Sequence, residues 1–316
     1  MEPSPDNGRR GAMPTTHRLL SMFAVATLVA ACAVAQGPVT DPPQGSGPPS
    51  TPPSPQPSVS PVGAIEHATG ATDVLLRAED GGGHMMAMFT ATQVPYFTLY
   101  GDGTVIFQKL SLEVPPAEGS LIRQHPLRTT RLSEPQIQEL LQFAGVDSGL
   151  AIARPNYPND QVADASTTTF TLTAGGIDKR VDVYALGMEL QGGVDAIARA
   201  SFSRLAERLR DFDEGGAFTT DVYVPERYRG VLLDNGGIAP PDVKPWPWKT
   251  LKPADFVNPI APDGFPLPSH TMTVAELEEL GLEGIEGGIQ GLSFHGPDDA
   301  KTYSFALRPL LPDEVR

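Results

Sequence analysis

The 316-residue chain has a single cysteine, Cys32. That rules out an internal disulfide and any zinc or iron–sulfur centre built on several thiolates. Positive charge is also short: 23 Lys+Arg stand against 38 Asp+Glu, a formal net charge of −15. Such a surface repels phosphate backbones, so nucleic acid is not an expected partner, and it offers anionic lipid no basic patch. The chain carries no phosphate loop of the GxxxxGK type, no GxGxxG and no HExxH, so nucleotide binding and helical zinc chemistry have no sequence signal. Its longest charge-free apolar run near the N-terminus is only 13 residues, Leu19 to Ala31, short of the roughly 20 that a membrane-crossing helix needs.

That run is nonetheless informative. It follows Arg9, Arg10, His17 and Arg18 and ends in small residues, the three-part layout of an export signal. Met13 is an alternative start, since Met1–Ala12 adds only a polar, unpatterned extension. The run closes on Val29-Ala30-Ala31-Cys32, which resembles the lipobox of bacterial lipoprotein precursors. The resemblance implies cleavage before Cys32 and a covalent lipid on its thiol, whose thiolate is the nucleophile that takes the acyl-bearing group. A competing site, Ala33-Val34-Ala35 before Gln36, fits ordinary signal peptidase and would release a soluble chain lacking Cys32.

Residues 36–62 contain ten prolines and almost no large apolar side chain. Such a tract cannot bury enough surface to offset the entropy of ordering. It is expected to form a solvated, semi-stiff polyproline-II spacer, reaching up to about 80 Å at about 3.1 Å per residue.

Regular patterning begins beyond residue 63. Thr72–Asp80 reads as a strand and Tyr96–Gln108 as a hairpin about Gly101-Asp102-Gly103, with Asp102 a turn residue rather than a catalytic acid. A helix is marked by Ser133 as N-cap, Gln136 completing a capping box, and Leu132 stapling Ile137. Ile137, Leu140, Leu141 and Ala144 share its apolar face, and Gly145 is the expected stop. A second hairpin turns at Gly175-Gly176, and a second amphipathic helix carries Val194, Ile197, Phe202, Leu205, Leu209 and Phe212. Helices packed on one face of an antiparallel sheet of hairpins make α+β the expected fold class. Pro225 is expected to interrupt the strand pattern that follows, or confine it to an edge. The C-terminal part is less regular: a capped helix opens at Thr273, and closing strands are expected around Gly288–Gly296 and Ala300–Pro312. The order hairpin, helix, hairpin, helix, the stretch LYGDGTVI and the terminal RPLLP resemble uncharacterised exported bacterial lipoproteins; this resemblance implies location and fold but no catalytic residues. The expected organisation is a signal over 1–31, a stalk over 32–62, an α+β body over 63–218, and a C-terminal part over 219–316 that belongs to the same domain or forms its own.

Three constellations carry candidate chemistry. His84, Met85, Met86 and Met88 follow a glycine triplet and are soft ligands of the type that select Cu(I); methionine as gap filler is the competing reading. Ser293 and His295 lie two apart on an expected strand, facing one way, in a stretch that superficially resembles a nucleophile elbow but ends in His295 rather than glycine. Trp246 and Trp248 alternate with prolines; exposed, they would grip a protein or glycan ligand, and buried, they would strap a core. The run Glu276, Glu278, Glu279, Glu283 and Glu286 reads as a solvated face.

The sequence therefore leads to an exported lipoprotein on the outer face of a bacterial membrane. Its leading role is a non-enzymatic binding or interaction module for an unidentified protein or glycan, with no cofactor beyond the lipid on Cys32. An exported hydrolase using Ser293 and His295, or copper binding through His84–Met88, are the alternatives. Mass analysis of the mature N-terminus in membrane and soluble fractions checks the tether: a lipidated Cys32 recovered with membranes and lost in Cys32→Ala is expected, whereas a soluble chain beginning at Gln36 would overturn it.

Overall fold

The computed structural model describes residues 63–109, 117–188, 193–236, 240, 242–257, 267–298 and 300–315. The signal, Cys32 and the stalk lie outside the described residues. In chain order the elements are β1 (Val74–Gly81), α1 (Ala87–Thr92), β2 (Phe97–Tyr100), β3 (Thr104–Phe107), β4 (Ile122–Arg123), β5 (Arg128–Arg131), α2 (Glu134–Gln142), β6 (Asn156–Tyr157), β7 (Thr167–Ala174), β8 (Ile177–Tyr184) and α3 (Ala196–Arg210). There follow β9 (Asp221–Val222), β10 (Tyr228–Asp234), β11 (Val243–Lys244), β12 (Ser269–Met272), α4 (Val274–Leu280), β13 (Ile289–His295) and β14 (Thr302–Pro309). The class is α+β.

Two sheets form. The first has the order β6-β8-β7-β1-β2-β3-β5-β9; the second runs β11-β13-β14-β10-β12, with β4 added on β13. Pairing is antiparallel except for β6 on β8 and β11 on β13. The C-terminal part is thus more regular than its sequence pattern indicates. β13 and β14 form a hairpin, but β10 pairs with β12 and β14 across large sequence separations, which turn signals do not announce. The sheets also exchange strands across residue 218: β9 closes an edge of the first, and β4 pairs in the second. The described residues fall within one compact unit.

The first sheet's hairpins form where alternation and turn chemistry place them. Asp102 caps its own turn, accepting from the Thr104 N–H and hydroxyl at 3.0 Å each. Pro225 falls between β9 and β10, interrupting the strand pattern, since it has no N–H to give a ladder. One face of the sheet carries Leu76, Leu99, Val105 and Phe170 beneath α2 and α3, which contribute Leu140, Leu141, Phe202 and Leu209 to the same core. Gln136 caps α2 by accepting from the Ser133 N–H and hydroxyl at 2.9 and 2.7 Å.

Two helix details differ from expectation. Gly145 does not end α2: a π turn runs on from Phe143 to Asp147, and the chain leaves it through Gly149, whose φ of +76° is left-handed. Val194 precedes α3 and, like Ile197 within it, is exposed; the inward face is Arg199, Phe202, Leu205, Ala206 and Leu209. Arg199 is buried because its guanidinium donates to the carbonyls of Tyr157, Tyr184 and Ala185 at 3.1, 2.8 and 2.9 Å, which satisfies both the charge-bearing group and strand-end acceptors.

The second core is aromatic. Trp248 is buried among Phe256, Phe294 and Phe305 at ring separations of 6.3, 5.6 and 5.1 Å. Both indole N–H groups are used: Trp246 donates to Leu251 O at 2.7 Å and Trp248 to Glu276 O at 2.8 Å. The tryptophan–proline ribbon is therefore a strap closing this core, which corrects its candidacy as an exposed partner-binding surface.

A third cluster, Tyr100, Ile106, Leu127 and Leu311, lies on the opposite face of the first sheet. Here the segment after β14 crosses over. Asp313 accepts from Arg77 Nη2 at 2.7 Å and from the Tyr100 hydroxyl at 2.6 Å. Burial alone would raise the Asp313 pKa, but these two hydrogen bonds and the Arg77 charge outweigh it and hold the carboxyl below its ordinary value. Asp313→Ala is expected to cost about 2–3 kcal/mol in urea unfolding at neutral pH. Because the folded-state pKa is depressed, that contribution is present above the unfolded value of about 3.9 and fades as pH falls through the folded one; the difference between wild type and variant should narrow accordingly.

Candidate functional site

A cleft of about 300 Å³ opens where the two sheets meet. Six separate segments build it. Asp80 lies near the end of β1 and Arg210 ends α3; Tyr96 precedes β2 and Gln108 follows β3. Phe89 and Thr92 come from α1, with Gln93 and Val94 just after it. Gln124 and His125 follow β4, and Gly287 and Gln290 come from the β13 region.

Local chemistry fixes these walls. The Thr92 hydroxyl donates back to Met88 O at 2.9 Å and accepts from Gln290 Nε2 at 2.7 Å, which ties the short α1 to the second sheet. Gly287 is needed because a Cβ there would run into the carbonyl oxygens of Gln124 and His125. The Gln124 N–H donates to Gly288 O at 2.9 Å, so the Gln124-His125 backbone is held against the β13 segment.

The charges in the cleft neutralise one another. Arg210 Nη2 donates to Asp80 Oδ2 and Oδ1 at 2.7 and 2.9 Å. Thr168 adds a hydroxyl donor to Oδ1 at 2.6 Å, and the Arg210 guanidinium stands 4.6 Å from the Tyr96 ring centroid, a cation–π distance. Tyr96 is 5 % exposed. Burial pushes its pKa well up, against the opposing pull of Arg210, so its hydroxyl keeps its proton at neutral pH.

Four buried side-chain atoms have no hydrogen-bond partner among the described residues: Tyr96 Oη, His125 Nδ1, Ser203 Oγ and Arg308 Nε; the Tyr96 and His125 atoms belong to this cleft. Leaving such a group unsatisfied costs about 1–3 kcal/mol, and both residues line one cleft. The glutamines are half-used. Gln108 Nε2 donates to Val94 O at 3.3 Å, Gln290 Nε2 to Thr92, and Gln93 Nε2 to Met85 Sδ at 3.8 Å. Because those partners accept, the amide orientations are set, and each Oε1 is without a protein donor among the described residues.

The residues singled out from sequence lie elsewhere. Ser293 is 4 % exposed and inside the second sheet, opposite Ser304, whereas His295 is exposed. No hydrogen bond joins them among the described residues. The strand irregularity between Ile289 and Leu292 does not expose Ser293. A nucleophile–base pair needs contact and access, so the structure corrects the hydrolase candidacy of Ser293 and His295. His84 is exposed on the loop before α1; Met85 accepts from Gln93, and Met86 is 80 % exposed. Among the described residues no group of three His, Cys, Asp or Glu side chains is gathered for a metal. Glu276 is engaged in capping α4, accepting from the Thr273 N–H at 2.7 Å, and contacts His270 at 3.2 Å. Cys32 lies outside the described residues.

No protein-family model, curated protein or solved structure matches the chain. Sequence reasoning missed Asp80, Tyr96, His125, Arg210 and Gln290 as a group, because nothing in their spacing links positions up to 210 residues apart. The one available signal was weak: a lone histidine beside a proline, outside any motif.

Tyr96→Phe removes the unpartnered hydroxyl and keeps the ring under Arg210. The ligand-free variant is expected to be as stable as wild type or up to about 1 kcal/mol more stable, as measured by thermal or urea unfolding. A clear destabilisation would mean that the hydroxyl has a structural partner.

Proposed function

We propose that this protein is a lipid-anchored binding module displayed on the outer face of a bacterial membrane, and that its cleft between the two sheets captures a small polar ligand without transforming it. Cys32 holds the lipid, residues 32–62 act as the spacer, and the body presents the cleft. The observation that carries the binding part is the pair of buried, unpartnered polar atoms, Tyr96 Oη and His125 Nδ1, in one cleft. A fold tolerates such cost where a ligand recovers it.

Binding is favoured over catalysis for a chemical reason. Tyr96 holds its proton, so it is not a base at neutral pH. Asp80 is tied to Arg210 and Thr168, so it is not a free carboxylate. General acid–base work needs a group matched to the operating pH and held in position; the one imidazole of the cleft, His125, has no carboxylate hydrogen-bonded to orient it among the described residues, and the glutamines and the occupied ion pair provide recognition instead. The acidic surface agrees with an uncharged or cationic ligand and opposes strongly anionic ones.

Hydrogen-exchange mass spectrometry of the full chain tests this, using millimolar glucose, N-acetylglucosamine, glucuronate, alanine and N-acetylglycinamide in turn. Slower exchange over residues 89–96, 124–125 and 287–290 with at least one probe, recovered chemically intact, is expected. Absence of protection with every probe would overturn the binding reading, and conversion of a probe would replace it with an enzymatic one.

A further inference from the structure

The ligand class can be narrowed by counting what the cleft has left to give. Among the described residues that line it, the only two formal charges, Asp80 and Arg210, are bonded to each other at 2.7 Å. A carboxylate or ammonium group on a ligand would meet no unpaired opposite charge there and would lose its hydration without compensation. The uncommitted groups are neutral and mostly acceptors. The Oε1 atoms of Gln93, Gln108 and Gln290 have their own N–H₂ groups turned to protein acceptors. Gln124 has no side-chain hydrogen bond among the described residues and offers both ends. Tyr96 Oη and His125 Nδ1 add two buried atoms. On the apolar side Val94 and Phe89 line the opening, with Phe89 38 % exposed.

From this balance we infer that the cleft recognises a neutral sugar: Gln93, Gln108, Gln124 and Gln290 with Tyr96 and His125 bond its hydroxyls, and Phe89 covers its C–H face. Each sugar hydroxyl brings one O–H donor and can still accept, which suits a site rich in acceptors with a tyrosine hydroxyl as donor. A peptide brings carbonyl oxygens in equal number to its N–H groups and would set some of them against the glutamine oxygens. The volume of about 300 Å³ is at the lower end of the roughly 300–1,000 Å³ of small-molecule sites, which limits the ligand to a free sugar or the end of a glycan chain. The aromatic wall is apolar and open, as needed for the ring face that carries no hydroxyls.

The inference rests on the binding reading proposed above. Isothermal titration of the full chain decides both. The probes are glucose, galactose and N-acetylglucosamine as neutral sugars, a soluble oligomer of each to represent a glycan end, and glucuronate, alanine and N-acetylglycinamide as charged and peptide-like counterparts. Saturable binding of a neutral sugar or its oligomer is expected, with glucuronate, alanine and N-acetylglycinamide weaker by about tenfold or more. Gln124→Leu removes an amide that makes no protein hydrogen bond among the described residues and nearly keeps the side-chain volume, so the fold is expected to be kept, and the variant is expected to weaken the sugar by about tenfold. Tighter binding of glucuronate, alanine or N-acetylglycinamide would overturn the sugar assignment and leave the binding cleft standing. Sugar binding unchanged in both Gln124→Leu and Tyr96→Phe would place the sugar elsewhere and overturn the assignment. Binding of no probe would sink the cleft reading itself.

Discussion

Asp313 is the point on which the arrangement of the two sheets turns. It sits just beyond the last strand of the second sheet and accepts hydrogen bonds from Arg77 in β1 and Tyr100 in β2 of the first. Leu311 enters the small apolar cluster beside it, and the Tyr223 hydroxyl donates to Leu310 O at 2.8 Å. Arg308 extends the same link, pairing with Glu314 and donating to Gln93 O at 3.3 Å. A charge-assisted bond with little water around it is strong and directional. The tail is therefore latched to the first sheet at a fixed position, and the second sheet is held with it.

The cleft follows from that latch. Its walls come from both sheets, and neither alone would enclose it. Arg308 fixes the backbone at Gln93, and Gln290 of β13 fixes Thr92, so α1 is tied to the second sheet while Tyr96 and Asp80 belong to the first. The result is a site whose charges are already matched and whose neutral groups are not. Rigid placement of unsatisfied dipoles in a dry pocket is what gives small-molecule sites their selectivity, since a ligand must supply the missing partners in fixed directions. In the proposed binding reading, Tyr96 and His125 stand in that position.

The local elements were largely legible. The hairpin about Asp102, the hairpin at Gly175-Gly176, the Ser133–Gln136 cap and the Thr273–Glu276 cap all rest on interactions within a few residues, which spacing reports directly. Errors arose where a distant contact decided the outcome. Arg199 has no local signal for burial, and three carbonyls from other segments bring it inside. Ser293 and His295 shared a strand, yet packing covers one and leaves the other outside. The two tryptophans admitted both an exposed and a buried reading, and only the aromatic core around Phe305 chose between them.

What the sequence determined by itself was the address-like N-terminal pattern, the spacer composition, the absence of motif-borne catalysis and the α+β class, because these depend on composition, on short-range periodicity or on a few adjacent residues. What only the tertiary structure decided was the division into two strand-exchanging sheets, the burial of Arg199, Ser293 and Trp248, and the gathering of Asp80, Tyr96, His125, Arg210 and the glutamines around one cleft. Those outcomes depend on contacts between segments far apart in the chain, and hydrogen-bonding partners at such separations leave no trace in local spacing.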